Sequence, residues 1–291
     1  MEFKGLFTAI ITPFKGGVLD EDGLRANIDF QVENGVEGVV PVGTTGESAT
    51  LSGEEHKKVV EITVDQVNGR AAVLAGTGSN NTMEALRYTE HARDVGADGA
   101  LMITPYYNKP TQEGVYQHYK KIAEAVDIPI ILYTVPGRTN VNIEPETTRR
   151  LSKIPNIVGI KDASGDLDQI MRVVGDCGSE FSVISGEDYL TYPIIALGGK
   201  GVISVTSNVA PEMMREFVSA ALDGGWSKAR DLHYRLYPLF KVLFIETNPS
   251  PAKAAMNMMG LASGEPRLPL VPVTRDSEVE IRRVLGELDL L

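Results

Sequence analysis

Eight short apolar segments alternate with helix-forming segments along the first 224 residues, and this alternation predicts an α/β fold with a parallel sheet. The spacing of roughly 20 to 35 residues accommodates one strand and one helix in each unit. Eight such units favour a closed TIM (β/α)8 barrel over an open doubly wound sheet. Three further helical segments follow, so we predict a barrel over residues 1–224 and a C-terminal helical region over residues 225–291.

The barrel strands are assigned where apolar residues, many of them β-branched, form short runs between turn signals. They are predicted over residues 6–11, 38–42, 72–76, 100–103, 130–133, 157–161, 182–185 and 202–205. Gly35, Gly96 and Gly198 precede the second, fourth and eighth of these strands. A glycine in the left-handed conformation commonly ends a helix, so each of these residues is expected to close the helix before its strand.

Local signals also mark where helices begin. Ser52 with Glu55, and Asn81 with Glu84, have the spacing of a capping box, in which each side chain bonds the backbone N–H of the other residue. These two pairs predict helix starts after Ser52 and Asn81.

Prolines give further helix boundaries. Pro145 and Pro211 suit the first turn of a helix, where the N–H that proline lacks has no partner. Pro238 is expected to interrupt the first of the C-terminal helices. Those three helices are predicted over residues 226–245, 250–259 and 274–290.

The composition excludes several classes of partner. The formal net charge of −11, from 28 Lys and Arg against 39 Asp and Glu, repels the phosphates of nucleic acids and anionic membranes. No apolar run approaches the roughly 20 residues needed to cross a bilayer. The single cysteine, Cys177, excludes an internal disulfide framework and suits a reducing compartment, so we expect a cytoplasmic protein.

The sixth predicted strand ends at Lys161, the strongest candidate for a reactive side chain. Side chains alternate along a strand, so Lys161 is expected to face inward with Ile157 and Gly159. Asp162 then faces the other way. Desolvation at the mouth of an apolar barrel disfavours the ammonium form, and a neutral amine can attack a carbonyl to form a Schiff base. The alternative is a solvated lysine at the rim, the commoner fate of a lysine.

Polar residues that follow other strands could bind a substrate. After the second strand, the hydroxyls of Thr44 and Thr45 could hold a carboxylate, or the loop could hold a phosphate, although it lacks the lysine of a P-loop. Tyr133, at the end of the fifth strand, is expected to face inward with Ile131, where its hydroxyl needs a polar partner. The alternative to a site residue is a core tyrosine whose hydroxyl is hydrogen-bonded within the protein. Arg138 lies on the loop after this strand, where its guanidinium could bind a carboxylate through two parallel hydrogen bonds. The alternative is a solvated surface arginine.

Tyr106 and Tyr107 lie on a loop after the fourth strand that prolines make rigid. Two adjacent tyrosines on such a loop indicate an interface or the wall of a site.

The histidines lie in four separate segments without paired ligand spacing, so no metal site is predicted. They are His56, His91, His118 and His233.

Five motifs follow one another along the chain: GTTGES at 43–48, ITPYYNKPTQEG at 103–114, YTVPGR at 133–138, GIKDASGD at 159–166 and FIETNPSPAKAA at 244–255. In sequence and in order they resemble the dihydrodipicolinate synthase family. The resemblance implies a TIM barrel with a helical C-terminal region, a homotetramer, and a Schiff-base lyase that uses neither metal nor cofactor. It also implies that pyruvate condenses with L-aspartate 4-semialdehyde to give 4-hydroxy-tetrahydrodipicolinate, in lysine and diaminopimelate biosynthesis.

The same resemblance implies a role for each matching residue. Lys161 would form the Schiff base with pyruvate, and Tyr133 would donate and accept protons. Thr44 and Tyr107 would complete the proton relay, with Tyr107 lent across a dimer interface. The implied substrate contacts are Thr45 on the pyruvate carboxylate, Gly186 and Ile203 lining the pocket through their backbone, and Arg138 on the carboxylate of the semialdehyde.

Two alternative functions stay open from the sequence. Other class I pyruvate aldolases, such as N-acetylneuraminate lyase and keto-deoxy sugar acid aldolases, share the lysine and the tyrosine, so Arg138 and its YTVPGR setting carry the discrimination. The second alternative is a non-catalytic small-molecule sensor on the same barrel. Retention of all four proposed chemical groups argues against a sensor.

The resemblance further implies a site for feedback by L-lysine. The matching positions are Ser48, Ala49, His56, Asn80, Glu84 and Tyr106. Gly53 departs from the pattern, because some lysine-sensitive enzymes have a histidine there. For His56, a solvated surface residue is the alternative.

Overall fold

The computed structural model describes residues 2–291, and eight of its strands close into a parallel barrel. The strands are β1 (Gly5–Ala9), β2 (Phe14–Lys15), β3 (Val18–Leu19), β4 (Gly38–Val40), β5 (Ala72–Gly76), β6 (Gly99–Ile103), β7 (Ile130–Thr134), β8 (Ile157–Asp162), β9 (Ser182–Ser185) and β10 (Gly201–Ser204). Around the barrel they follow the order β1, β10, β9, β8, β7, β6, β5, β4. The predicted TIM (β/α)8 barrel is confirmed.

All eight predicted barrel strands are present, each within one or two residues of its expected bounds. The largest differences are at β1 and β4, which both end two residues early. Pro41 follows β4 and has no N–H to donate to the sheet, and Val42 has a φ of +49°. The backbone therefore leaves the extended conformation at this point, although the side chains remain apolar.

A small β-hairpin precedes the first helix, and it was not predicted from the sequence. Strands β2 and β3 pair antiparallel, with Phe14 opposite Leu19 and Lys15 opposite Val18. The two linking residues, Gly16 and Gly17, have φ values of +57° and +79°. Two adjacent glycines are a typical signal of a tight hairpin turn, because both central residues of such a turn can need a positive φ.

Twelve α-helices lie within the described residues. They are α1 (Glu21–Glu33), α2 (Gly53–Val67), α3 (Thr82–Asp94), α4 (Gln112–Ala125), α5 (Pro136–Thr139), α6 (Pro145–Leu151), α7 (Leu167–Cys177), α8 (Thr191–Ala196), α9 (Pro211–Leu222), α10 (Trp226–Val242), α11 (Ser250–Met258) and α12 (Arg275–Glu287). Across residues 2–291, no helix combines the length and the apolar character needed to span a bilayer.

The helix caps follow the sequence signals with one exception. Ser52 and Glu55 form both halves of a capping box at the start of α2. Asn81 caps α3 as expected, but its N–H donates to the hydroxyl of Ser79 rather than to Glu84. The Glu84 carboxylate instead accepts a hydrogen bond of 2.6 Å from the same hydroxyl. Only half of the second predicted capping box is therefore present: the Asn81 side chain accepts from the Glu84 N–H, but the Asn81 N–H bonds Ser79 and not Glu84.

The proline and glycine signals are mostly confirmed. Pro145 and Pro211 occupy the first turns of α6 and α9, and the three glycines that end helices have φ values of +77°, +90° and +105°. The expected interruption at Pro238 was wrong, since α10 continues through it to Val242. The helix continues although Pro238 has no N–H to donate to the carbonyl four residues earlier, that of Tyr234.

Packing divides the chain into two compact units. The first contains residues 2–5 and 74–203. In its core the Tyr119 hydroxyl of α4 donates to the carbonyl of Met102 on β6. His118 beside it is also buried, and burial lowers its pKa to about 4, so this imidazole is neutral near pH 7.

The second unit contains residues 6–73 and 204–291, so it joins the start of the chain to its end. Asn208 makes much of this connection: its side chain accepts from the N–H of Ile11 and donates to the carbonyls of Ala9 and Val205. The predicted boundary at residue 224 falls in the turn between α9 and α10, and that division of the chain stays a prediction.

Candidate active site

Lys161 and Tyr133 lie side by side on neighbouring strands. They are directly paired in the register of β7 and β8, so both side chains project from the same face of the sheet. Each residue is 7% exposed. The Lys161 Nζ lies 4.2 Å from the centroid of the Tyr133 ring, against its face. The alternative of a solvated rim lysine was wrong.

Asp162 faces the other side of the strand, as the alternation predicted. Its carboxylate accepts hydrogen bonds from the backbone and hydroxyl of Ser164 and, at 2.9 Å, from the side chain of Gln169 on α7. This anchorage to a helix fixes the orientation of β8. Lys161, one residue earlier, is thereby directed away from the helices.

Glycines next to the pair allow the backbone to pack closely. A Cβ on Gly159 would lie 2.4 Å from the carbonyl oxygen of Ser182, and one on Gly186 would lie 2.6 Å from the Cβ of Ala163. The N–H of Gly186 donates to the carbonyl of Asp162 at 2.7 Å. Ile203 on β10 is buried. These contacts leave no room for a side chain at Gly186, so only its backbone can face a ligand.

The threonine loop, residues 42–47, follows β4 in the second unit. Thr44 is half-buried, whereas Thr45 is buried and its Oγ1 accepts a hydrogen bond of 3.0 Å from the Nδ2 of Asn248. Val42 and Glu47 adopt left-handed φ values of +49° and +56°. Such values are uncommon outside glycine and strained for a β-branched residue.

The sequence interpretation missed the charged group that supports this loop. The Nζ of Lys253 on α11 lies 2.5 Å from Oε1 of Glu47, and neither side chain is more than 1% exposed. Burial lowers the pKa of Lys253, while the Glu47 charge opposes that shift. The available signal was Lys253 itself, a lone charged residue among the apolar residues of α11.

Arg267 connects the same region to α2. Its guanidinium pairs with Glu55 at 2.6 Å and lies over the ring of Phe14. The hydrogen bond from Arg267 lowers the pKa of Glu55 to about 2, so this carboxylate stays charged well into the acid range.

Two candidate residues of the first unit lie at the surface. Tyr107 is 89% exposed and has a φ of +70°, so its ring does not pack against Lys161 or Tyr133 of its own chain. Arg138 lies exposed on α5, directly after β7.

The residues matched to a lysine site fall in both units. In the first, burial and the charge of Glu84 raise the pKa of Tyr106, and Asn80 accepts a hydrogen bond from Asn108. In the second, Ser48 and Ala49 form a single turn of 3₁₀ helix with Thr50. His56 is buried on α2, so the alternative of a solvated surface residue was wrong for it.

A closed parallel barrel with a buried lysine and tyrosine paired on adjacent strands defines the chain as a TIM-barrel protein of the kind that serves as an enzyme scaffold. Among residues 2–291 no group of three or more metal-ligating side chains occurs. The chain belongs to the dihydrodipicolinate synthetase family, whose model matches residues 2–288.

Individual relatives are similar over their full length. A 4-hydroxy-tetrahydrodipicolinate synthase of Syntrophus aciditrophicus (strain SB) is 57% identical over 289 residues, which are 99% of each protein. The crystal structure of dihydrodipicolinate synthase from Aquifex aeolicus has a TM-score of 0.98 at 50% identity, covering 99% of each chain. That of the enzyme from Cyanidioschyzon merolae with lysine bound has a TM-score of 0.97 at 39% identity, again covering 99% of each chain.

Proposed function

We propose that the protein is a 4-hydroxy-tetrahydrodipicolinate synthase, a lyase that condenses pyruvate with L-aspartate 4-semialdehyde through a Schiff base on Lys161. The observation that carries the proposal is the enclosed Lys161 amine against the Tyr133 ring. Relatives that carry this enzyme name at 57% and 56% identity support it over N-acetylneuraminate lyase, a keto-deoxy sugar acid aldolase or a non-catalytic sensor. Its product would serve lysine and diaminopimelate biosynthesis.

The proposed reaction needs only amine and proton chemistry. The Nζ of Lys161 attacks the ketone carbon of pyruvate, and water leaves to give an imine. Loss of a methyl proton gives an enamine, whose carbon attacks the aldehyde of the semialdehyde. The amino group of that substrate then attacks the imine carbon, which closes the ring and releases Lys161. Tyr133, beside the amine, would accept and return the protons.

The other assignments follow from position in the barrel. Active-site residues of such barrels lie at the carboxyl ends of the strands, where Thr44 and Thr45 follow β4 and Arg138 follows β7. We assign Thr45 to the pyruvate carboxylate, Arg138 to the semialdehyde carboxylate and Thr44 to the proton relay. Gly186 and Ile203 would line the pocket through their backbone.

We also propose that the protein is a cytoplasmic homotetramer in which Tyr107 completes the relay of a neighbouring copy. The exposed, left-handed Tyr107 supports this assignment, because a strained backbone that presents an aromatic ring to solvent suits an interface. Exposed Met171 and Leu197, on α7 and after α8, offer apolar surface for a second contact. The lone half-buried cysteine suits a reducing cytoplasm.

Schiff-base formation is tested by reduction. Borohydride added with pyruvate should fix the mass of one reduced pyruvate unit on the peptide that contains Lys161, because the imine is trapped as a stable amine. Lys161→Ala should trap nothing, whereas Lys121→Ala, which removes an exposed lysine of α4, should trap as the wild type does. An unchanged mass of the wild-type protein would exclude the mechanism.

Arg138 tests the choice of the second substrate. Arg138→Ala should lower kcat/KM for L-aspartate 4-semialdehyde by about 10²-fold, since a charge-assisted contact worth about 1.5 to 3 kcal/mol is lost. Pyruvate trapping should continue. Steady-state rates with each substrate measure the difference. Turnover of N-acetylneuraminate in place of the semialdehyde would show that the assigned substrate is wrong.

Subunit exchange tests the assignment of Tyr107. Lys161→Ala and Tyr107→Ala should each have little activity alone. Mixed and reassembled, they should regain activity, because one site of a mixed pair combines an intact Lys161 with an intact Tyr107 of the other copy. No recovery in mixed pairs, verified by mass, would mean that Tyr107 serves its own chain or none.

We propose, finally, that L-lysine binds at Ser48, Ala49, His56, Asn80, Glu84 and Tyr106. The structure of the Cyanidioschyzon merolae relative with lysine bound supports a lysine site in this chain, and the six positions come from the sequence resemblance. Added L-lysine should lower the initial rate, and Glu84→Gln should weaken that inhibition, because the lysine ammonium group loses an anionic partner. Rates that stay flat as L-lysine is added would exclude the site.

A further inference from the structure

The threonine loop holds a conformation that it would not adopt by itself. Val42 and Glu47, at its two ends, both have left-handed φ values, and Val42 is β-branched. Such residues persist only where the surrounding structure determines them. The contacts on this loop therefore show what maintains its geometry.

The principal contact is the buried ion pair between Glu47 and Lys253. Each carboxylate oxygen of Glu47 has its own partner: Oε1 lies 2.5 Å from the Lys253 Nζ, and Oε2 accepts from the backbone N–H of Arg267 at 2.9 Å. The Lys253 Nζ also lies 4.3 Å from the centroid of the Phe14 ring. The carboxylate is thus held in both position and direction by the C-terminal segment of the same unit.

Two neutral hydrogen bonds complete the support. The hydroxyl of Thr12 donates to the carbonyl of Gly46 at 2.7 Å, and Asn248 donates to the hydroxyl of Thr45 at 3.0 Å. Because Asn248 uses an N–H on Thr45 Oγ1, the hydroxyl hydrogen of Thr45 is left to be donated elsewhere. Asn248 therefore sets the direction in which Thr45 can offer a hydrogen bond.

A buried ion pair is a poor way to gain stability. Apolar residues of similar volume often stabilise a core as well or better, because two charges must be desolvated to form the pair. A buried ion pair instead fixes one arrangement of the two segments that it joins, because each charge must keep its partner. In this unit it joins the loop with Thr44 and Thr45 to α11.

We propose that Glu47, Lys253 and Asn248 are positioning residues for pyruvate, which hold Thr45 where it receives the pyruvate carboxylate. None of the three needs to touch substrate. The inference rests on the proposed function, since it presumes that Thr45 binds this carboxylate.

The experiment compares Lys253→Met with the double variant Glu47→Gln/Lys253→Met. In the single variant the Glu47 carboxylate is buried without its cation, so the loop shifts. We expect kcat/KM for pyruvate to fall on the order of 10²-fold, the loss that a misplacement of about 1 Å can cause. For the semialdehyde, kcat/KM should fall less. The double variant should recover part of the loss, because the glutamine amide that replaces the carboxylate is neutral and its oxygen can still accept from Arg267.

Two further variants complete the test. Asn248→Ala should lower kcat/KM for pyruvate selectively while leaving Glu47 and Lys253 in place. Lys228→Met removes the cation of an exposed ion pair with Glu216 on a helix of the same unit and should leave both values unchanged. If Lys253→Met does not fold, Asn248→Ala decides alone.

The outcomes are distinct. Wild-type values in Lys253→Met and Asn248→Ala, or equal losses for both substrates, would overturn the positioning role. A wild-type protein that traps no pyruvate with borohydride would instead overturn the proposed function. Selective loss for pyruvate in a protein that traps pyruvate supports both.

Discussion

The hydrogen-bonded register between β7 and β8 is the constraint on which the site depends. It pairs Tyr133 with Lys161 directly, so the amine and the ring meet without help from a loop. A slip of one residue would turn Lys161 toward the helices and Asp162 into the barrel. The hydrogen bonds of Asp162 to Ser164 and Gln169 oppose that slip, because they hold the carboxylate on the helix side.

The loop that carries Thr44 and Thr45 is supported differently. A short strand that ends at Val40 cannot hold the residues beyond it in a left-handed path by backbone pairing alone. The loop instead depends on charged and polar side chains from the other end of the chain, Asn248 and Lys253. These contacts lie within the compact unit that contains residues 6–73 and 204–291.

Much of the fold could be predicted because its signals are local. Strands appear as short apolar runs, the capping box of Ser52 and Glu55 lies within four residues, and the helix-ending glycines require left-handed φ values. The hairpin at Gly16 and Gly17 carried an equally local signal that was overlooked. The expectation for Pro238 was wrong because α10 continues through the proline, and that for Glu84 was wrong because the Ser79 hydroxyl takes the Asn81 N–H.

For this protein, the amino-acid sequence by itself determined the barrel, the family and the identity of the lysine and tyrosine, because strand periodicity and long ordered motifs can be read without coordinates. Only the tertiary structure decided that Lys161 lies against the Tyr133 ring, that the Tyr107 side chain projects into solvent, and that Glu47 meets Lys253 in the interior. The physical reason is distance along the chain. Burial and charge pairing depend on residues that folding brings together from remote segments, and no local pattern encodes which partner a buried charge will find.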